Sequence, residues 1–304
     1  MTSITVAVVQ AGSLLFDTPA SLMKAETFIR DAAAQGAALV VLPEAFLGGY
    51  PKGVDFGITV GSRSPEGRDM FKRYADSAIT LPGQEVTHLA ELSAELGIDI
   101  VAGVIEREGG TLYCATVFIT ATGGHVATHR KLMPTAAERY LWGQGDGSTL
   151  ATIETSYGRV GSAICWENYM PLFRTAMYQQ GVQLWCAPTV DDRDAWSATM
   201  RHIALEGRCF VLSANQYLLR SDLPEDVHPV QGEDPDTLLI GGGSMIVSPL
   251  GDVLAGPLRG REGILVAEVD LDDITRAQFD LDVTGHYSRP DIFTLTTDTT
   301  RRQG

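Results

Sequence analysis

Basic residues are scarce in this chain: 23 Lys and Arg stand against 38 Asp and Glu in 304 residues, a formal net charge of −15. A surface that tracks nucleic-acid phosphates needs clustered cations, so this balance argues against a nucleic-acid partner. Four cysteines make no disulfide framework in a chain of this length, and a reducing, cytoplasmic compartment is expected. No apolar run reaches the roughly 18–20 residues of a membrane span, so no membrane partner is expected. The start, Met1-Thr2-Ser3-Ile4, has neither a basic region nor a cleavage pattern, and no signal peptide is expected. CxxC and HExxH spacings are missing, which removes the usual zinc patterns. Apolar residues, by contrast, are plentiful. At 44% hydrophobic and 20% charged, the chain has the proportions of a protein with a large core, not of a disordered one.

Strand and helix signals alternate along the chain. Residues 6–9 read as a buried strand; Thr18 and Pro19 then suit a helix start, Leu22, Ala25, Ile29 and Ala32 give its apolar stripe, and Gly36 its stop. Residues 37–42 are a continuous apolar strand ended by Pro43-Glu44. A helix over 84–96 stopped by Gly97, a strand over 98–104 and a hairpin of 112–120 with 125–129 follow. The second half repeats the pattern with strands at 160–164, 182–187 and 209–214 and helices at 172–180 and 194–206. A late hairpin pairs 244–248 with 264–269 through Pro249-Leu250-Gly251-Asp252. The Pro- and acid-rich stretch 222–236 reads as a surface loop, and Gly48-Gly49 and Gly241-Gly242-Gly243 as turns. Strands alternating with helices predict an α/β protein, and the hairpins predict mixed sheets. The length would allow two domains, but no linker appears, and one layered domain is expected.

Three places join a strand end to reactive side chains. Glu44 follows the 37–42 strand, where sites gather in open α/β folds, although for a single Glu alone the solvated-loop reading is the better one. His129-Arg130-Lys131 follows another strand and leads to Glu138. In so acidic a protein, that basic cluster points to an anionic intermediate or a buried acid partner, against the plainer reading of a wet surface turn. In the third, 158–168, a strand of small residues delivers Cys165 onto a sharp turn, the arrangement of a nucleophile elbow. Cys114, Cys186 and Cys209 lie inside apolar strands, where a thiol acts as a small hydrophobe. A thiol attacks as thiolate and needs a base or a positive neighbour. None of the six histidines has a distinctive motif for that role, which leaves a Glu and a Lys.

With these residues in view, the sequence resembles the nitrilase (carbon–nitrogen hydrolase) superfamily, and within it the true nitrilases. Members use a Glu–Lys–Cys triad in that chain order. Glu44 in LPEAFLGGYPKG, Lys131 in HRKLMPT and Cys165 in GRVGSAICWENYMPL match its three motifs, and Glu138 in PTAAERYLWGQGDGS matches a second family glutamate. DDRDAWSATMRHIALEGRCFVLSANQ, DVTGHYSRPDIF and Trp166 directly after the cysteine are similar to nitrilases specifically. The resemblance runs from about Val6 to Phe293. It implies a single domain over 1–293, a four-layer αββα sandwich with two mixed β-sheets, and an eight-layer dimer. Residues 294–304 form a short tail expected to be disordered. Many nitrilases carry longer tails that help subunits assemble, so a homodimer or small oligomer is expected rather than a long spiral.

The resemblance also implies the chemistry. Cys165 attacks a nitrile carbon, Glu44 moves protons, Lys131 stabilises developing negative charge, and Glu138 positions Lys131 or water. The Trp166 backbone N–H is expected as an oxyanion donor, and no metal or organic cofactor is needed. Tyr50, Tyr140, Trp142 and Trp166 are candidates for the substrate pocket, while Trp196 on a helix face reads as core. Other readings are a cyanide hydratase or dihydratase, an amidase of the same superfamily, and a catalytically inactive binding module; the intact Glu44, Lys131 and Cys165 argue against the last.

Overall fold

The computed structural model describes residues 3–150 and 152–302. Its first sheet is built from β1 (Ser3–Gln10), β2 (Leu39–Val41), and, after a small ribbon of β3 (Ile58–Thr59) and β4 (Ser62–Arg63), from β5 (Asp99–Glu108), β6 (Thr111–Thr120) and β7 (Gly124–Arg130). Helices α1 (Thr18–Ala34), α2 (Pro65–Ser77) and α3 (Gln84–Leu96) lie between these strands. The second half contributes β8 (Ile153–Glu154), β9 (Arg159–Ser162), α4 (Pro171–Gln179), β10 (Leu184–Thr189), α5 (Asp194–Gly207), β11 (Phe210–Asn215) and β12 (Tyr217–Leu219). Finally come β13 (Leu238–Val247), β14 (Val253–Arg259), β15 (Gly263–Asp270) and α6 (Asp272–Ala277).

Both large sheets are mixed, as expected. The first runs β15-β1-β2-β5-β6-β7, with β1, β2 and β5 parallel and the other pairings antiparallel. The second runs β12-β13-β11-β10-β9-β8, with β14 beside β13 and a parallel trio β9-β10-β11. Central parallel strands are covered on both faces, which explains their unbroken apolar runs. Every residue of β2, β10 and β11 is buried. Ala7, Val9, Val40, Ile100 and Val117 of the first sheet pack on Ala25 and Ile29 of α1 and Leu89 and Leu92 of α3. Its other face, with Val6, Val8, Val41 and Val101, packs on Leu184, Phe210, Leu212 and Ile246 of the second sheet. Trp185, Val211 and Met245 cover the far side of the second sheet against Met177 of α4 and Trp196, Met200 and Ile203 of α5. Each fully buried aliphatic side chain in these interfaces contributes roughly 1.5–3 kcal/mol.

Several expectations need correction. The hairpin of 244–248 with 264–269 does not form: β13 pairs with β14, whereas β15 pairs antiparallel with β1 in the other sheet. β14, VLAGPLR, is an edge strand that is largely exposed, so it lacks the alternation that marks a half-buried strand, and its Gly-Pro pair reads as a turn. Gly241-Gly242-Gly243 lies inside β13, not in a turn; Gly242 and Gly243 take φ of +82° and +121° at a register shift. Helix α2 gave no apolar stripe because it buries only Gly67, Tyr74 and Ser77, yet Ser64 caps it by accepting the Gly67 N–H at 2.9 Å. Helix α1 is capped by Asp17, one residue before Thr18.

Residues 294–302 hold no helix or strand. Arg301 pairs with Glu108 at 3.0 Å, and the Arg302 N–H donates to Asp146 at 2.7 Å. Gln303 and Gly304 of the expected tail, and Met1-Thr2 at the start, lie outside the described residues. Among the described residues no helix is long and apolar enough to cross a membrane.

Candidate active site

Glu44, Lys131 and Cys165 each follow the C-terminal end of a strand. Glu44 sits just beyond β2, where the Leu42 N–H still donates to Val101 O at 2.8 Å. The chain then turns over β5, with Ala45 at φ +51°. Gly103 makes that turn possible, since a Cβ there would meet Pro43 O at 2.1 Å. Lys131 follows β7 and stays in register with the neighbouring strand, its N–H donating to Cys114 O at 2.8 Å. Cys165 follows β9 and takes φ +48°, the left-handed region. Asn168 Nδ2 donates to both Ala163 O and Cys165 O at 2.8 Å, and Trp185 Nε1 donates to Asn168 Oδ1. These bonds hold the sharp turn expected of the elbow, so the side chain of Cys165 is delivered by a fixed backbone.

The three side chains meet in one buried cluster. Lys131 Nζ donates to Glu44 Oε1 at 2.6 Å and to Glu138 Oε2 at 2.8 Å. Both Lys131 and Glu44 are fully buried. The Cys165 thiol lies close enough to the Glu44 carboxylate and to Thr189 at the end of β10 for both to act on its ionisation. Glu44 Oε2 has no hydrogen-bond partner among the described residues, which leaves one carboxylate oxygen available. Apolar side chains of Leu112, Trp142, Ile164 and Val190 close around the group.

Burial is the leading electrostatic influence. It pushes the Glu44 carboxyl up to about 7, against the charge of Lys131 and with that of Glu138. It also raises the Cys165 thiol, helped by the negative charge of Glu44 and opposed by Lys131. Burial disfavours the charge on Lys131, but Glu44, Cys165, Cys114 and Glu138 outweigh it and hold the ammonium well above its usual range. A carboxyl raised toward neutrality beside a thiol that is hard to ionise, with a permanent cation alongside, can pass a proton in either direction.

Glu138 lies on the far side of Lys131. Its Oε1 accepts the Tyr50 hydroxyl at 2.8 Å, and its Oε2 also accepts the Thr135 N–H at 2.6 Å. Trp142 is buried with its ring centroid 5.6 Å from Lys131 Nζ, and its Nε1 donates to Tyr74 OH at 3.1 Å. Trp166 is 42% exposed; its Nε1 donates to Asp191 at 2.9 Å, and the Arg193 guanidinium lies 4.9 Å from its ring. Tyr140 is 59% exposed on the surface. Trp196 is buried and donates to Ser213 Oγ, as core.

Some site neighbours went unread in the sequence. Cys114 is not only a small core hydrophobe: its Sγ lies 3.6 Å from Glu44 Oε1. The signal was available, because Leu112 and Cys114 share a face of β6 at the strand period of two. The basic run is not a wet turn, since His129 and Lys131 are buried and Arg130 pairs with Glu106 at 2.5 Å. Asp191 and Arg193, which fasten Trp166, lie in the nitrilase-like segment DDRDAWSATMRHIALEGRCFVLSANQ, but nothing local in it signals their contact with Trp166.

Residues 5–279 match the carbon-nitrogen hydrolase family. The chain is 57% identical over 298 residues to the aliphatic nitrilase of Sinorhizobium fredii (strain HH103), covering 98% of this chain and 96% of that one. It is 53% identical over 305 residues to the arylacetonitrilase of Trametes versicolor, covering 96% and 95%. Its fold superposes on the crystal structure of Saccharomyces cerevisiae Nit3, a member of branch 10 of the nitrilase superfamily, with a TM-score of 0.70 at 23% identity, over 94% of this chain and 96% of that one. The chain therefore belongs to the carbon–nitrogen hydrolase family, in its nitrilase branch.

Proposed function

We propose that the chain hydrolyses an organic nitrile to the carboxylic acid and ammonia. The observation that carries this reading is Lys131 held between the buried Glu44 carboxylate and the half-buried Glu138 carboxylate, beside the Cys165 thiol. Identity above one half to relatives named nitrilases supports the choice of nitrile as substrate.

In this mechanism Glu44 takes the thiol proton as the sulfur bonds to the nitrile carbon and passes it to the nitrogen, giving a thioimidate. Lys131 balances the negative charge that develops on nitrogen, with the Trp166 N–H as a second donor. Glu44 then draws a proton from water as it adds to the carbon. The carbon–nitrogen bond breaks, ammonia leaves, and a thioester remains. A second water breaks the carbon–sulfur bond, releases the acid and returns the proton to sulfur. Glu138 keeps Lys131 in place, Tyr50 fixes Glu138, and Trp166 and Trp142 flank the substrate. Tyr140, exposed in one copy of the chain, is placed with them as a further wall of the substrate pocket.

We also take residues 1–293 as one domain, a four-layer αββα sandwich that assembles as a homodimer and works in the cytoplasm. The core shared between the two sheets, with helices on their outer faces, supports the layering. Light scattering tests the assembly; megadalton particles would contradict a discrete dimer or small oligomer.

A panel of aliphatic nitriles, arylacetonitriles, cyanide and the matching amides, scored by ammonia release, tests the activity. Acid and ammonia from an organic nitrile is the expected result. Amide as the main product, turnover of cyanide alone, or turnover of amides alone would replace it with the hydratase or amidase reading. No turnover of any of them would favour a binding module.

A further inference from the structure

We propose that Glu167, seated on His129, is a positioning residue that fixes Lys131 against Cys165. Lys131 follows β7 of the first sheet and Cys165 follows β9 of the second. Strand hydrogen bonds set spacing within a sheet, so no ladder sets the spacing between these two residues. Glu167 does. Its Oε1 accepts the N–H of Leu132, the residue after Lys131, at 2.6 Å. Its Oε2 accepts the N–H of Ile164, the residue before Cys165, at 2.7 Å. The same carboxylate lies 3.0 Å from His129 Nε2, and both side chains are shut off from solvent. His129 is fixed in turn by Thr149 O, 3.2 Å from its Nδ1, and by the ring of Phe173, 5.6 Å away between centroids.

Two backbone N–H donors and a histidine ring nitrogen converge on one group, and a carboxylate meets the N–H groups with acceptor oxygens alone. Hydrogen bonds to a buried charge are short and strong, which suits a link between two sheets. A glutamine would turn an NH₂ donor toward one of the three and open the link on that side. The link matters for rate because a displacement of about 1 Å between reacting groups costs on the order of 10²-fold. Glu167 reaches no reacting atom, so its effect passes entirely through Lys131 and Cys165.

The inference rests on Cys165 being the nucleophile for nitriles. The experiment measures kcat, KM and the rate of Cys165 alkylation by iodoacetamide in the wild type, Glu167→Gln and His129→Gln, with kcat referred to the number of alkylatable Cys165 thiols. Glu167→Gln should lower kcat about 10²-fold with KM within about threefold, and slow alkylation. His129→Gln leaves both N–H bonds to Glu167 in place and should lower kcat about three- to tenfold; it serves alone if the first variant does not fold. Wild-type kcat per thiol in either variant, with only thermal stability reduced, would overturn the proposal and leave a structural role. A rise in KM that accounts for the whole loss would overturn it too. Failure of the wild type to turn over any nitrile would instead remove the underlying reading, so the two failures are distinct.

Discussion

Lys131 Nζ stands 2.6 Å from Glu44 Oε1, although 87 positions separate the two residues in the chain. Glu138 closes the other side of the same ammonium at 2.8 Å. A lone buried ammonium or carboxylate would cost several kcal/mol, and this arrangement persists because each charge answers another. The chemistry and the stability of the site therefore depend on the same contacts.

Removing the cation should show both effects. In Lys131→Met, two acidic groups lose their partner inside the protein. Nitrile turnover should vanish, and urea denaturation should show a loss of about 3–5 kcal/mol. An unchanged unfolding midpoint would contradict the pairing.

Glu44→Gln removes the proton acceptor but keeps the shape. Turnover should fall by about 10² to 10⁴, while Cys165 remains open to iodoacetamide. A loss below tenfold at the pH of the wild-type optimum would place the base elsewhere.

The pH dependence follows from the same carboxyl. Its active form as a base is ionised, so wild-type kcat/KM should rise with pH through about 7. Stability moves the other way. A carboxyl raised from 4.5 to about 7 on folding binds more protons folded than unfolded between those values. Its contribution is present below the unfolded value and is lost as pH rises through about 7. Between pH 4.5 and 7 the wild type should lose stability relative to Glu44→Gln, measured by urea titration at several pH values. A constant difference between the two would count against the raised carboxyl.

Tyr50→Phe deletes the hydroxyl that donates to Glu138 Oε1. One hydrogen bond to a charged acceptor is worth about 1.5 kcal/mol, so kcat should fall roughly tenfold or less with the fold intact. A rise in KM alone would instead make Tyr50 a wall of the substrate pocket.

The sequence was most informative where a strand ended on a reactive residue. Glu44 follows an apolar strand, Cys165 a strand of small residues and Lys131 the more polar β7, and the sharp turn at Cys165, which takes φ +48°, was expected from the segment around it. Pattern failed where polarity or exposure erased it. β14 is exposed on a sheet edge, and α2 buries three residues only. β15 went to the wrong partner because nothing local distinguishes a hairpin from a return to the other sheet. The contacts of Glu167 with Leu132 and Ile164 were out of reach for the same reason, since they join segments whose proximity only the packed sheets create.

Rapid quench of the enzyme during turnover of a good nitrile, followed by peptide mass spectrometry, examines the bond on which everything else depends. A thioimidate or thioester on Cys165 alone is expected, with neither adduct nor turnover in Cys165→Ala. An adduct on Cys114, Cys186 or Cys209, or undiminished turnover in Cys165→Ala, would contradict it.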